Sequence, residues 1–506
     1  MSDEIKDSNP RNRLSYNAFA SSLGWFLPII LTFVATPIVV KGLGYEQYGI
    51  YALILGFVNY SFTFGVGRAV TKYVAEYRSS GKKEKISEII SVSFWFSLVL
   101  SLAGSLIIVI FAEPIVADVL QINAELHDLA IKSLYIACST IGFLMIGQVF
   151  QAVLQGIHRF DRVSLLITLS GFLLNFGNIF LVLNGFSFYS LLFWNLFLTA
   201  VISLFYYILA KKYLPEFAIS FKLKKESVRL ILNYGSGVIG YQIFANALLI
   251  FERSWITRNL GAENLTFYVV PMTLALYMHA FIGSVVSVIF PVISELQNER
   301  EKLLELYRRA TKLVVSTVVF ITLTLICSSK MFLTLWINRE FAEKSAPILI
   351  ALTLSFSVIS ILCIVWQLAE GFGHPRFNAV ISFLWLAVSV PLMIWLIFPL
   401  GNFGSSIARL SGHLITLPFI FIGEKKFLGE VQWSFWLKLI LTVGVAAILA
   451  ATLETLIFYL FEPSWLIIIV GFGVGIIVYG TVLWLNNFFS ADEKKLFNQI
   501  FSKIKA

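Results

Sequence analysis

The stretch that decides the fold is residues 346–369, APILIALTLSFSVISILCIVWQLA, in which 24 consecutive positions carry no charged side chain. An apolar run of roughly 20 residues is long enough to cross the hydrocarbon core of a bilayer as a helix. Only a helix or a closed barrel can satisfy all of its backbone hydrogen bonds in that medium. Barrel strands are short and alternate in polarity, whereas this run is long and continuous, so it predicts a transmembrane helix.

Runs of this kind recur along the whole chain. Of its 506 residues, 58% are hydrophobic and only 13% are charged, against roughly 25% charged in a soluble domain. The sequence therefore predicts an all-α polytopic membrane protein with about fourteen transmembrane helices. The predicted spans are residues 15–40, 47–67, 89–112, 129–153, 163–183, 187–210, 230–252, 266–290, 312–336, 346–369, 378–399, 403–423, 435–459 and 464–488.

The distribution of positive charge predicts the orientation of these spans. Most of the 38 lysines and arginines fall at the termini and in alternate loops, which the positive-inside rule assigns to the cytoplasm. We therefore expect a multi-pass protein of the cell inner membrane with both termini cytoplasmic. The same asymmetry accounts for the net charge of +9, so no nucleic-acid partner is expected.

The two ends of the chain have different predicted roles. The first apolar run is too long for a signal peptide and no small-residue cleavage site follows it, so it predicts an uncleaved span. The C-terminal residues 489–506 place apolar side chains on one helix face among four lysines. That pattern predicts a cytoplasmic amphipathic helix on the inner leaflet, with a solvated tail as the alternative.

An internal repeat divides the chain. Moving 217 positions forward takes Leu43-Gly44 to Leu260-Gly261 and Arg159-Phe160 to Arg376-Phe377, and other polar positions keep the same offset. Each copy holds six spans, an even number, so the copies should have the same topology and form a parallel repeat. The chain is therefore predicted to consist of a six-helix lobe at 1–218, a second six-helix lobe at 219–433, two additional helices at 434–488 and the tail at 489–506.

Signatures of catalysis are missing from the sequence. It contains no phosphate-binding Gly-rich loop, no paired carboxylates at active-site spacing and no His/Cys cluster. The three cysteines, Cys138, Cys327 and Cys363, all fall inside predicted spans, which favours small core residues over a disulfide or a metal site. We therefore expect a protein that is not an enzyme and has no cofactor. Transport would then be coupled to H⁺ or Na⁺, or follow the substrate's own gradient.

Charged residues within or beside the spans are the candidate binding residues, because burial in a bilayer is costly for them. Arg409 lies inside span 12, roughly 9 Å from its outer end, and is expected to face the space between the lobes or to snorkel to the interface. Further candidate head-group cations stand at span ends, each with an interfacial or solvated role as its alternative: Arg68, Arg253, Arg258 and Lys41.

Four other polar residues are candidates for ion coupling or for lining the transport path. His413 lies one turn beyond Arg409 on the same helix face, and a lone histidine in a span more often packs as a satisfied core residue. Glu252 either pairs with its neighbour Arg253 or faces the path. His279 in span 8 and Glu370 at the inner end of span 10 complete the set.

Several motifs resemble a known family. They are GLGYEQYGIYAL at 42–53, GVGRAVTKYVAEYRSSG at 65–81 and LQGIHRFDR at 154–162, echoed by LGAENLTFYVV at 260–270 and EGFGHPRFNAV at 370–380. They look like the polysaccharide exporter, or O-antigen flippase, family of the multidrug/oligosaccharidyl-lipid/polysaccharide superfamily. The resemblance covers the whole chain. It implies a flippase that moves an undecaprenyl-pyrophosphate-linked oligosaccharide to the outer leaflet and holds the anionic head group in a cationic cavity.

Two other functions compete with this interpretation. An ion-coupled multidrug exporter of the same superfamily would favour buried acids, yet the first six spans hold no Asp or Glu between their ends. A membrane-embedded sugar transferase or polymerase would need larger external loops. The expected partners are a lipid-linked glycan, membrane lipids and a polysaccharide polymerase or other assembly proteins.

Overall fold

The computed structural model describes residues 29–60, 66–221, 223–287 and 296–486, together with positions 289, 292, 293, 488 and 489. Every regular element in that part of the chain is helical. The start of the predicted first span and nearly all of the predicted amphipathic tail lie outside the described residues.

Fifteen helices follow one another in the described part of the chain. In chain order they are α1 Ile29–Leu43, α2 Tyr45–Tyr60, α3 Val66–Ser79, α4 Lys83–Ile110, α5 His127–Gly156, α6 Phe160–Leu183, α7 Phe188–Tyr213, α8 Lys225–Leu260, α9 Ala262–Ser287, α10 Arg300–Trp336, α11 Arg339–Gly371, α12 Pro375–Leu414, α13 Pro418–Gly423, α14 Trp433–Leu460 and α15 Trp465–Leu485. Short turns of helix at Ala112–Pro114, Ile115–Val119 and Ala124–Leu126 join α4 to α5, and a single π-helical turn, Glu424–Leu428, continues α13.

Ten of the described helices are long and apolar enough to cross a membrane, namely α4 to α7, α9 to α12, α14 and α15. The chain is therefore a multi-pass membrane protein. The described part of the apolar helix α1 is shorter than a full span, and the 36-residue helix α8 is not among the ten. The total of fourteen spans stays a prediction.

One of these helices is two helices joined at a break. Within α12, Gly401 adopts φ 55° and ψ −138°, a backbone conformation that is accessible mainly to glycine. The predicted spans 378–399 and 403–423 meet at this residue. Gly404 lies so close to the carbonyl of Leu396 that a Cβ at 404 would overlap it. The break in α12 therefore also depends on a second glycine.

The chain forms two compact units. The first consists of residues 1–269 and 382–405, and the second of residues 270–381 and 406–506. In the first unit, α3, α4, α5 and α7 enclose an apolar core that includes Val70, Ile89 and Val153. Phenylalanines on its outer face, such as Phe176 and Phe197, are each 57% exposed, as expected for side chains that face lipid.

In the second unit the most enclosed helix is α11. Its apolar window is 78% buried, whereas the corresponding windows of the other nine spanning helices are 22–44% buried. Because α11 is surrounded by protein, its small polar side chains can be satisfied only by neighbouring helices or by its own backbone. The predicted lobe boundaries at 1–218 and 219–433 stay a prediction.

Candidate functional site: a buried cationic cluster around Phe356

Arg409 is the most buried lysine or arginine among the described residues of the second unit. It lies on α12 after the break at Gly401 and is only 5% exposed. Its guanidinium carbon stands 4.8 Å from the centre of the Phe356 ring on α11. A cation–π contact of this kind contributes roughly 0.5–2 kcal/mol, whereas the net penalty for burying a charge is several kcal/mol. The ring therefore offsets only part of the cost of burying Arg409.

His413 lies one turn beyond Arg409 and faces the same ring, as the sequence predicts. It is fully buried, and its ring centre is 6.2 Å from that of Phe356. Its Nδ1 atom is 2.6 Å from the hydroxyl of Ser355 and 3.0 Å from the carbonyl oxygen of the same residue. A protonated Nδ1 can donate a hydrogen bond to this carbonyl oxygen, which only accepts, whereas an unprotonated Nδ1 can accept one from the Ser355 hydroxyl.

His279 approaches Phe356 from a third helix, α9. Its ring centre is 6.1 Å from the Phe356 ring, and its Nδ1 atom is 3.0 Å from the hydroxyl of Ser360. Three nitrogen-bearing side chains from two helices therefore surround one aromatic residue of α11. We call His279, Ser355, Phe356, Ser360, Arg409 and His413 the Phe356 cluster.

The chemistry of the Phe356 cluster favours an anion. Arg409 is permanently charged, and each imidazole can donate or accept hydrogen bonds beside it. A guanidinium in surroundings of low dielectric interacts more strongly with phosphate or carboxylate than it would in water. The cluster therefore combines one fixed cation with two titratable groups.

A second buried arginine lies in the first unit. Arg253 of α8 is 7% exposed, and its guanidinium carbon stands 5.1 Å from the ring centre of Tyr60 on α2. Its Nη1 atom donates to the carbonyl of Leu249 over 3.1 Å. Gly56 allows the approach, because a Cβ there would overlap the Arg253 side chain. The neighbouring carboxylate, Glu252, is fully buried.

The remaining candidate residues either make hydrogen bonds outside the Phe356 cluster or are exposed. Arg258 donates from Nη1 to the carbonyls of Asp118 and Val119, over 2.6 Å and 3.0 Å, and so caps the helical turn at Ile115–Val119. Lys41 and Arg68 are exposed. Glu370 accepts a hydrogen bond from Trp366 Nε1 over 3.1 Å. The contacts of Arg258 favour a structural role for that residue.

Sequence reasoning missed the partners of Arg409 and two buried acids. Ser355, Phe356 and Ser360 stand within an apolar run in which nothing distinguishes them from packing residues. Glu424 and Glu454 are both fully buried. A signal was available for Glu454, because it is the single acidic residue in the predicted span 435–459.

Comparison with known proteins identifies related sequences. The family described as "Polysaccharide biosynthesis protein" matches residues 31–346. A protein of Shigella flexneri that is named as an O-antigen transporter is 22% identical over 404 residues, covering 78% of this chain and 93% of the relative. The succinoglycan biosynthesis transport protein ExoT of Rhizobium meliloti is 26% identical over 317 residues, covering 61% of this chain and 58% of the relative.

Solved structures share the fold. The lipid II flippase MurJ in its inward closed conformation superposes with a TM-score of 0.73 at 16% identity, covering 91% of this chain and 97% of that one. An inward-facing multidrug resistance transporter of the MATE family and MOP superfamily gives a TM-score of 0.69 at 17% identity, covering 81% and 98%. At these identities the likeness establishes the fold alone.

Proposed function

We propose that this chain, which belongs to the polysaccharide biosynthesis protein family, is a flippase for an undecaprenyl-pyrophosphate-linked oligosaccharide repeat unit. It would carry this unit across the cytoplasmic membrane by alternating access and so supply cell-surface polysaccharide. The resemblance in sequence to a protein named as an O-antigen transporter supports the proposal. The fold that it shares with a lipid II flippase is consistent with a lipid-linked substrate.

The observation that carries the proposal is the burial of Arg409 against Phe356 inside a membrane protein. A pyrophosphate with attached sugars cannot enter hydrocarbon without replacement of its water shell. An arginine fork can replace part of that shell with two parallel hydrogen bonds. The two imidazoles beside it can supply further hydrogen bonds.

Transport in this proposal uses an H⁺ or Na⁺ gradient, with the substrate's own gradient as the alternative. His279 and His413 are the coupling candidates next to Arg409. Both termini would be cytoplasmic in the inner membrane. A polysaccharide polymerase or another assembly protein would receive the flipped unit on the outer side.

Substitution of Arg409 tests the proposal in a host that lacks its own flippase and depends on this chain for surface glycan. Arg409→Ala should lower surface glycan about tenfold or more, because hydrogen bonds to charged groups contribute roughly 1.5–3 kcal/mol each. Arg409→Lys should keep part of the activity, since the charge survives while the fork is lost. Immunoblots of the membrane fraction establish that each variant is present at the normal level.

The matched control is Arg339→Ala. Arg339 is an arginine of the same unit, 84% exposed in its side chain and paired with Glu343 across one turn. Exposed pairs contribute about 0–1 kcal/mol, so this variant should export normally. Normal export by Arg409→Ala would show that Arg409 does not bind the head group.

The fold shared with a multidrug transporter keeps a second function open. A multidrug exporter would change the susceptibility of the same host to cationic drugs and leave its surface glycan unaltered. Restored glycan without a change in drug susceptibility supports the flippase; the opposite result supports the drug exporter.

A further inference from the structure

A buried acid lies in the membrane-spanning part of the second unit, outside the Phe356 cluster. Glu454 stands on α14 six residues before its end at Leu460, roughly 9 Å from that end at 1.5 Å per residue. The residue is fully buried. An ionisable side chain at such a position is costly and therefore demands a specific explanation.

Within the part of the chain that the structure describes, the surroundings of Glu454 supply one hydrogen bond and no cation. The hydroxyl of Thr324 on α10 donates to Oε1 over 3.2 Å. Among the described residues Oε2 has no hydrogen-bond partner, and the carboxyl group makes no ion pair. On the other side, Gly475 of α15 lies against Oε1 so closely that a Cβ at 475 would overlap it.

Few other titratable groups face this carboxyl. Cys327, about one turn beyond Thr324 on α10, interacts electrostatically with Glu454 and accepts a hydrogen bond from Thr455 of α14. On α15 the one ionisable side chain is Tyr479, whose hydroxyl donates to the carbonyl of Ser316 over 2.9 Å. Neither group offers a positive charge to Glu454.

Of the two carboxyl oxygens, Oε1 accepts a hydrogen bond and Oε2 has no partner among the described residues. This difference fits a neutral acid. An ionised carboxylate would have four lone-pair sites to satisfy and would leave a whole charge buried without a counter-ion. A protonated acid needs a hydrogen-bond donor at its carbonyl oxygen, which the Thr324 hydroxyl supplies at Oε1, and it carries its own proton on Oε2. The neutral form costs far less in this environment.

We propose that Glu454 is an intramembrane proton-binding site, which holds a proton while α14 is packed against α10 and α15 and releases it when these helices separate. The coupling of this proton to transport rests on the proposed flippase function. The proton-binding site itself does not, because it follows from the contacts of Glu454 alone.

Infrared spectroscopy of the purified full-length protein in lipid nanodiscs tests the site directly. Protonated carboxylic acids give a carbonyl band that ionised carboxylates lack. The wild type at neutral pH should show this band and Glu454→Gln should lose it. Glu462→Gln, which changes an exposed acid in the loop after α14, is the matched control and should keep it. Thr324→Val should shift the band to higher frequency, because the hydrogen bond to the carbonyl oxygen is removed.

Two outcomes would overturn the proposal. The first is a carbonyl band that survives unchanged in Glu454→Gln. The second is the absence of the band from the wild type. A Na⁺-dependent rise in the thermal midpoint that occurs in the wild type and not in Glu454→Gln would then show that the site holds a metal cation.

Glycan export measured with and without a proton gradient tests whether the proton on Glu454 is coupled to transport. Collapse of the proton gradient should slow glycan export by the wild type. Glu454→Gln resembles the permanently protonated acid, so its export should be low and should not respond to the gradient. If export by Glu454→Gln responds to the proton gradient as the wild type does, Glu454 does not couple the gradient to transport. If no export is seen for any variant while the infrared band behaves as expected, the proposed function fails and the proton-binding site stands.

Discussion

At the scale of single residues, the second unit shows how a membrane protein accommodates polar groups. Arg409 and His413 meet the aromatic ring and backbone of α11 instead of water. Ser355 and Ser360 satisfy the two imidazoles at Nδ1. Each contact is made by a residue type that is ordinary in a transmembrane helix, so the site depends on which residues are brought together.

The ring of Phe356 gives a prediction at this scale. Phe356→Leu keeps an apolar side chain but removes the π face under Arg409, and so should lower stability by about 1–2 kcal/mol. The thermal midpoint of the purified protein should fall by a few degrees, and export should fall with it. Phe176→Leu, on the outer face of the first unit, is the control and should change neither quantity. An unchanged midpoint in Phe356→Leu would show that the ring does not stabilise Arg409.

At the scale of elements, a buried carboxylate joins three segments of the second unit. Glu424 accepts from the Tyr307 hydroxyl over 2.7 Å, from Trp436 Nε1 over 2.6 Å and from the backbone N–H of Gln432 over 3.0 Å. These donors belong to α10, to α14 and to the residue that precedes α14. These three hydrogen bonds connect the π-helical turn to α10 and to the start of α14.

Substitution of this carboxylate should be costly. Glu424→Gln turns one acceptor oxygen into an amide donor that faces other donors, so we expect a loss of about 2–3 kcal/mol. A thermal midpoint several degrees lower, or a loss of folded protein from the membrane, would show it. Glu430→Gln is the comparison: Glu430 is an exposed acid 3.9 Å from Arg300, and its substitution should cost less than about 1 kcal/mol. Equal effects of the two substitutions would contradict the joining role.

At the scale of the whole molecule, the charge asymmetry gives a topology that can be measured. Reporters fused after residues 82, 222, 300 and 425 should be cytoplasmic, and reporters at 122 and 342 should be external. The first four positions lie on the side that holds most of the 38 lysines and arginines when all loops and termini are counted together, and the other two lie on the opposite side. Two or more reversed reporters would contradict the predicted spans.

The sequence by itself determined that this chain is a helical membrane protein of the polysaccharide exporter type. Long uncharged runs such as 346–369 must be helices in lipid, since each helix satisfies its own backbone. The family followed from local motifs such as residues 42–53, which need no knowledge of the packing. Arg409 and His413 could be placed on one helix face because they are four residues apart.

Only the tertiary structure decided what those residues meet. His279 and Arg409 are 130 positions apart, and their common neighbour Phe356 lies in an apolar run without a distinguishing pattern. Helix–helix contacts in lipid depend on side-chain packing and polar pairing more than on hydropathy, so periodicity along one helix cannot name the partner helix. For the same reason the backbone break at Gly401 and the approach of Gly475 to Glu454 became visible only in three dimensions.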